Sequence, residues 1–234
     1  MRVARLERRA TLTPLQGVDL SYRDLSGKDF SNTDLTRAIL TGATLTNATL
    51  RTARLTGATL SGADLTNAIL SEANFHEAKM IRAMMRGADL TLAILYKTEL
   101  QHSIIEDAVL TRTLLRGANL SGANLSNAKI NQANLASSTL VGSILTGADL
   151  SESNLSNADF SSANLRGADL SNTYMWKSNL TGATLTGADL TNADLTNANL
   201  KGANLTGATY NDKTVFPTFR YISKAQIASM IKLP

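Results

Sequence analysis

The sequence predicts an all-β solenoid in which the chain turns after every five residues and stacks its turns into a rod. The main observation is a repeat: an apolar residue stands at every fifth position from Leu15 to Tyr210 without a break, which makes 40 units, and 31 of these residues are Leu. The position two residues earlier is Ala in 27 units and mostly Ser or Thr in the others. A large and a small side chain alternating in this way can fill a narrow, solid tube.

A period of five excludes the regular secondary-structure elements. On an α-helix, a leucine every five residues advances by about 140° each time, so no apolar stripe forms. On a straight strand, the same spacing sends successive leucines to opposite faces. A chain that bends after each unit avoids both problems, because in TGADL the side chains of Ala188 and Leu190 then point inward while Asp189 points outward. The Thr-Gly and Thr-Asn pairs between units suit corners, since Gly and Asn tolerate unusual backbone angles.

These units resemble the pentapeptide-repeat family, whose motif is A(D/N)LXX, as in TGADLTNADLTNANL. The resemblance covers Leu15 to Tyr210 and implies a right-handed quadrilateral parallel β-helix, whereas the period alone leaves three or four sides open. With four sides, four units make one coil and the chain makes about ten coils. Parallel coils lie ~4.8 Å apart, so the rod is roughly 45 Å long.

We expect one β-helix over residues 13–210, with a cap at residues 1–12 and a capping segment with a short helix at residues 211–234. An open stack of strands aggregates, which is why both ends need covers. Arg23 and Lys28 occupy inward positions near the first end, where a buried unpaired charge is costly. The first coil is therefore predicted to be open or distorted.

The C-terminal segment carries signals for a helix start. Ser223 is a suitable N-cap, and Gln226 three residues later completes a capping box. Ile227, Met230 and Ile231 then share one helical face. That face either closes the apolar edge of the last coil or pairs with a second copy, so we expect a monomer or a homodimer joined through this segment.

Charge and composition narrow the partners and the compartment. Residues 1–10 and 211–234 each carry a net charge of +3, whereas the body between them has 15 basic and 17 acidic side chains. A basic stripe that could follow a phosphate backbone is absent, so we expect no nucleic acid on the rod. The chain has no Cys, which fits a reducing compartment, and neither a signal-like N-terminus nor an apolar membrane span. The prediction is a cytoplasmic protein without membrane contact.

No motif for catalysis, cofactor binding or metal binding stands out, so we predict that the protein is not an enzyme. His76 and His102 are the only histidines, and they fall on different sides of different coils. Asp149, Asp169 and Asp189 recur once per four-unit coil and stack in one column. We interpret this column as a hydrated Asp ladder in preference to a calcium site.

Two departures from the polar exterior indicate surfaces for partners. In residues 76–115, apolar residues replace Asp and Asn at outward positions and are mixed with Arg and Lys, the composition of interface cores. The predicted partner surface consists of Leu92, Ile94, Tyr96, Arg112, Leu114 and Arg116. A second candidate surface, three coils further along, consists of Tyr174, Trp176 and Lys177.

Three functional hypotheses follow. The favoured one is a non-enzymatic scaffold that binds another protein through its sides. The resemblance implies an alternative, because some pentapeptide-repeat proteins imitate B-DNA, bind DNA gyrase or topoisomerase IV and protect it from quinolones. Those proteins tend to be strongly acidic dimers, several with projecting loops, whereas this chain has a near-neutral body and no loop insertion. The third hypothesis is a purely structural rod without a specific partner, and the chain looks more like the many family members, particularly in cyanobacteria, to which no biochemical activity is assigned.

Overall fold

A computed structural model describes residues 15–218 and 220–234, so the cap predicted at residues 1–12 lies outside the described residues. From Asp19 onward, every fifth residue forms an isolated parallel β-bridge with its counterpart one coil later, as in Asp19 with Ile39. Four such bridges occur in each turn of the chain, which therefore winds into a four-sided β-helix. Each side presents one column of outward residues, with one residue from each coil. We name the sides after their first residues: the Asp19, Asp24, Asp29 and Asp34 faces.

The core is one continuous ladder of leucines and alanines. Ala188 and Leu190 are fully buried, and the same holds for nearly every inward position from Leu35 to Ala208. The outward residues between them, such as Asp189, are partly exposed. The predicted inward register is therefore confirmed along the described rod.

Inward Ser and Thr residues replace Ala without leaving their hydroxyl groups unpaired in most cases. The Ser103 hydroxyl donates a hydrogen bond to the Leu100 carbonyl oxygen at 2.7 Å, and the Thr173 hydroxyl donates to Leu170 at 2.6 Å. A buried hydroxyl without a partner is costly, so this local acceptor explains why Ser and Thr are tolerated in the small inward positions.

The corners are β-turns with one residue in the left-handed region. Val18 N donates to Leu15 O at 3.2 Å across the first corner, and the third residue of that turn, Gly17, has a φ of 61°. A positive φ at this position alone is the signature of a type II turn. The pattern recurs at every corner up to Gly207, and all 15 glycines of the chain occupy it. Leu92 adopts the same conformation at a φ of 60°, which is unusual for a bulky side chain.

The outward Asp and Asn residues hold the corners in place. The Oδ1 atom of Asp64 accepts the N–H of Thr66 at 2.9 Å, and that of Asp169 accepts the N–H of Ser171 at 2.8 Å. This Asx-type hydrogen bond reaches the residue two positions on, at the start of the corner. It gives a physical reason for Asp and Asn in the repeat motif.

The first described coil is more regular than the sequence suggests. Leu20 N donates to Ile39 O at 2.7 Å in the same pattern as later coils, so the predicted distortion is wrong for the backbone. The Arg23 side chain is exposed and that of Lys28 is half-buried. These long side chains reach solvent from the end of the described core, which relieves the cost of burying charge.

The regular spacing ends beyond Tyr210. Strand β1, Thr209–Tyr210, pairs in parallel with strand β2, Ile231–Lys232. The last bridge of the Asp34 face joins Asp194 to Val215, one position beyond the regular spacing. Between Val215 and β2, helix α1 spans Lys224–Ala228. The C-terminal segment thus lies across the end of the rod.

The predicted capping box at helix α1 is present. The Ser223 hydroxyl accepts the N–H of Gln226, and the Gln226 side chain accepts the N–H of Ser223. Ile227 and Met230 pack against the core. The placement of Ile231 on the same helical face is wrong, because α1 ends at Ala228 and the chain then extends to pair with β1, which leaves Ile231 53% exposed.

Candidate interaction surface

The predicted partner surface lies on the Asp34 face and its two corners. Ile94 and Leu114 are bridged neighbours in the outward column, between Asn74 and Asn134. Both side chains are half-buried, so this part of the face is less exposed than the sequence indicates. The structure therefore brings these two residues together as predicted.

One corner of this surface stacks Leu92 next to Arg112. Leu92 is 48% exposed, and Arg112 donates from Nε to the Gln132 side-chain oxygen at 2.8 Å. Gln132 lies one coil further along, and its hydrogen bond holds the Arg112 guanidinium group over the corner.

At the opposite corner, Tyr96 and Arg116 stack in the same way. The Tyr96 ring meets the His76 ring edge-on, with centroids 6.4 Å apart. Lys97 beside it lies 3.6 Å from a Glu77 carboxylate oxygen, so this carboxylate is paired. Within residues 15–218 and 220–234, neither Arg112 nor Arg116 forms an ion pair, and the surface presents two cations around an aliphatic centre.

Ile94 and Leu114 occupy positions that normally stabilise the corners. On the same face, Asn74 Oδ1 accepts the N–H of His76 at 2.9 Å and Asn134 Oδ1 accepts the N–H of Ala136 at 3.1 Å. An aliphatic side chain cannot accept a hydrogen bond, so Ile94 and Leu114 forgo this Asx contact.

The second candidate surface lies on the same face. Tyr174 is in the same outward column, bridged to Asn154 and Asp194, and is 45% exposed. The Lys177 ammonium group lies 4.1 Å from the centre of the Trp176 ring in a cation–π contact. The two predicted surfaces are therefore parts of one side of the rod.

A second apolar stripe, not predicted as a surface from the sequence, lies on the Asp24 face. Met84 and Ile144 lie in its outward column and are 37% and 41% exposed, and Val141 at the adjoining corner is 37% exposed. Ile104 stands between the first two in the column. The unit VGSIL contained the signal, since it lacks both the inward Ala and the outward Asp or Asn.

The predicted Asp column is present on the Asp29 face, where Asp149 is bridged to Asp169 and Asp169 to Asp189. Each carboxylate accepts a corner N–H, as Asp149 does from Ser151 at 3.0 Å. Among the described residues, no group of three or more His, Asp or Glu side chains could hold a metal ion.

His76 and His102 lie at different corners of the rod, as predicted. At the C-terminal end, Ile227 and Met230 are turned toward the core and only Ile231 of the predicted dimer face is exposed. None of the helices in residues 15–218 and 220–234 is long and apolar enough to cross a bilayer.

Comparisons with known proteins found several similar chains. Among solved structures, the chain is similar to HetL, a pentapeptide repeat protein involved in heterocyst differentiation regulation from the cyanobacterium Nostoc sp. strain PCC 7120, with 32% identity, a TM-score of 0.34, and coverage of 92% of this chain and 96% of HetL. A second Nostoc pentapeptide repeat protein is 36% identical, with a TM-score of 0.42, over 45% of this chain and 84% of that one. QnrB1, a plasmid-mediated fluoroquinolone resistance protein, is 17% identical, with a TM-score of 0.45, over 82% of this chain and 92% of that one.

A sequence search among curated proteins returned no significant match. The family profile described as pentapeptide repeats, in contrast, matches eight copies along residues 15–51, 53–91, 93–132, 133–172 and 177–209. These segments make up most of the chain, and the chain belongs to the pentapeptide-repeat family.

Proposed function

We propose that this protein is a non-enzymatic interaction rod that binds a protein partner through the Asp34 face, at the surface formed by Leu92, Ile94, Tyr96, Arg112, Leu114 and Arg116. The proposal includes the shape of the rod, which is a right-handed β-helix with ten coils. The observation that carries it is the exchange of Asx side chains for Ile94 and Leu114 at two adjacent positions of one column. Each exchange gives up a corner hydrogen bond worth about 1 kcal/mol and places an aliphatic side chain at an outward position next to the exposed Leu92 and Arg112.

The shape of the surface supports binding at low entropic cost. The backbone at Ile94 is held by ladder hydrogen bonds on both sides, from Ile94 N to Ala73 O of the preceding coil at 2.9 Å and from Leu95 N to Leu114 O of the following coil at 2.8 Å. A rigid, flat surface loses little conformational freedom when a partner docks. Aromatic, aliphatic and Arg side chains together are also the usual composition of interface centres.

The test compares three baits in affinity capture: the wild type, the double variant Ile94→Asn and Leu114→Asn, and Val109→Asn. Asn already occupies the neighbouring positions of the Asp34 face, so the double variant keeps the fold and restores two Asx contacts. Val109 is a matched control, because it is half-buried and outward on the adjacent Asp29 face. We expect a partner that the wild type and Val109→Asn retain and that the double variant loses. A partner retained equally by all three baits contradicts the proposal.

A further inference from the structure

The Asp24 face differs from the other three faces in the shape of its corners. Each corner has one residue with positive φ, and both Gly and non-Gly residues fill this position along the rod. The two corner columns that flank the Asp24 face hold 12 of the 15 glycines. Since the backbone accepts other residues at 24 such corners, the left-handed conformation alone does not require this distribution. Glycine has no Cβ, so a corner whose glycine is not covered by a neighbouring side chain is low and open to close approach by a flat surface. At Gly42 and Gly122, the rings of Tyr22 and His102 cover this space.

The outward column of this face runs over ten bridged residues: Asp24, Thr44, Asp64, Met84, Ile104, Asn124, Ile144, Asn164, Thr184 and Asn204. A second copy packed face to face about a two-fold axis perpendicular to the rod runs antiparallel to the first. With complete overlap, the axis passes between Ile104 and Asn124. Each residue then lies opposite the residue at the mirrored place in the column, as in any isologous contact.

This arrangement places apolar residues against apolar residues. Met84 lies opposite Ile144 of the second copy, and at the adjoining corner Ile81 lies opposite Val141 of the second copy. The symmetry repeats both contacts on the other side of the axis. The most exposed aliphatic side chains of the face, Met84, Val141 and Ile144, are thereby all covered.

In the same arrangement, no two residues of like charge lie directly opposite each other. The face and its corners carry eight charged residues, and each of them lies opposite an uncharged one; they are Asp24, Asp64, Arg82, Arg86, Glu106, Asp107, Arg166 and Lys201. Arg86 and Glu106 in addition form an ion pair within the chain. Arg166 of the second copy lies opposite Thr66, two residues from Asp64, which places opposite charges near each other.

Two other faces fail the same comparison on charge. Complete antiparallel overlap opposes Asp89 to Asp149 on the Asp29 face and Arg37 to Lys177 on the Asp19 face. Like charges held directly opposite each other cost free energy, so self-association is disfavoured on these two faces. On the Asp34 face, whose column runs from Asp34 to Val215, the same overlap sets Ile94 opposite Asn154 and Leu114 opposite Asn134, so its aliphatic residues do not meet.

From these observations we propose that the Asp24 face is the interface of an antiparallel, side-by-side homodimer, with a second copy of this chain as its occupant. A rod roughly 45 Å long with a face roughly 16 Å wide, from five residues at ~3.3 Å each, gives about 700 Å² per copy, close to the ~800 Å² per partner of standard stable interfaces. The proposal is independent of the partner surface on the Asp34 face, which stays exposed in this dimer.

Cross-linking tests the register directly, because the chain contains no Cys. Two single variants are prepared, Met84→Cys and Ile144→Cys. In the proposed dimer, the thiol introduced by Met84→Cys in one copy lies opposite the thiol introduced by Ile144→Cys in the other. Two copies of the same variant instead place their thiols three coils apart, at a distance of about 14 Å. We expect mild oxidation to cross-link a mixture of the two variants at least tenfold more than either variant alone. Equal cross-linking in all three samples overturns the antiparallel register.

Sedimentation equilibrium tests whether the Asp24 face forms the dimer interface. The double variant Met84→Asp and Ile144→Asp should raise the dimer dissociation constant at least tenfold, and its circular dichroism should be unchanged because Asp is a normal residue at these positions. The matched control is Ile39→Asp and Ile69→Asp, on two other faces with 40% and 38% exposure, which should leave the dissociation constant unchanged. A wild type that is monomeric at the highest soluble concentration overturns the proposal. So does a dimer that survives the double variant and is lost in Ile231→Asp, since that dimer forms through the C-terminal end.

Discussion

The side-chain nitrogen of Gln226 lies 2.7 Å from the backbone carbonyl oxygen of Leu200, and also 2.9 Å from that of Ala203. The Ala203 carbonyl lies in the last regular coil at a position that earlier coils satisfy with an N–H of the next coil, as Asn204 N does for Ala183 O at 2.9 Å. The Leu200 carbonyl, in contrast, also accepts the corner N–H of Ala203 at 3.0 Å. The other end of the same amide, the side-chain oxygen, accepts the N–H of Ser223 in the capping box. One side chain thus starts helix α1 and satisfies the open edge of the β-helix.

This relationship predicts that Gln226→Glu is strongly destabilising for the C-terminal cap. A carboxylate cannot donate to the Leu200 and Ala203 carbonyl oxygens and is repelled by them, so we expect a loss of about 1–3 kcal/mol in the free energy of unfolding. Urea denaturation measures it. Ala225→Glu is the control, because it adds the same charge at an exposed neighbouring position and should cost less than about 0.5 kcal/mol. Equal losses in both variants would show that the added charge, and not the lost donor, is responsible.

The inward register predicts unequal costs at two adjacent positions. Leu125→Ala empties part of the fully buried ladder and should cost about 2–5 kcal/mol through the cavity that it leaves. Asn124→Ala removes an outward side chain that accepts the N–H of Ser126, so its cost should be about 1 kcal/mol. Thermal or urea unfolding of both variants decides the matter, and similar costs would contradict the register.

The left-handed corner at Leu92 predicts a stabilising substitution. A bulky side chain at a φ of 60° is strained, whereas Asn adopts this conformation readily and occupies many equivalent corners. We expect Leu92→Asn to raise the free energy of unfolding by about 0.5 kcal/mol or more, despite the lost contacts of a side chain that is 48% exposed. Thr91→Asn, one residue earlier and outside the left-handed region, should give no such gain. A destabilised Leu92→Asn would show that Leu92 packs better than its exposure suggests.

The carboxyl group of Asp34 predicts how stability depends on pH. The hydrogen bond from the Thr36 hydroxyl, then that from Gln16, with a further contribution from Arg54, lowers the pKa of Asp34 to about 2 from an ordinary 3.8. The unfolded chain therefore binds this proton first as the pH falls. The stabilisation is complete above about pH 4 and is lost as the pH falls toward 2.

Denaturation at several pH values tests this expectation. Asp34→Asn should be less stable than the wild type at pH 7, and the difference should shrink between pH 4 and 2. In an NMR titration, Thr36→Val should raise the pKa of Asp34, since it removes the main cause of the shift. A difference between the wild type and Asp34→Asn that persists unchanged at pH 2 would contradict the assignment.

The charge of the rod predicts little or no inhibition of DNA gyrase. Imitation of DNA requires dense acidic columns in place of phosphates, and the body of this chain has only two more acidic than basic side chains. A supercoiling assay with the purified protein checks this. Potent inhibition near the enzyme's own concentration would replace the proposed role with that of a DNA mimic.

The five-residue period by itself determined the solenoid, the inward Ala and Leu positions and the corners, because each unit repeats the same local chemistry and a core ladder tolerates no slip. Local chemistry also sufficed for the capping box, which joins Ser223 to Gln226 within one helical turn. The sequence likewise indicated that Ile94 and Leu114 are neighbours, once four units were taken as one coil.

Only the tertiary structure decided features that depend on contacts between distant segments. Helix α1 ends at Ala228 because the following residues pair with β1, so Ile231 belongs to a strand and not to the helical face. The half-burial of Ile94 and Leu114 follows from stacking against the coils on both sides, which reduces the exposure that an outward position suggests. The accessibility of an outward residue depends on the size and position of the side chains in the adjacent coils, and the repeat pattern along the chain does not contain this information.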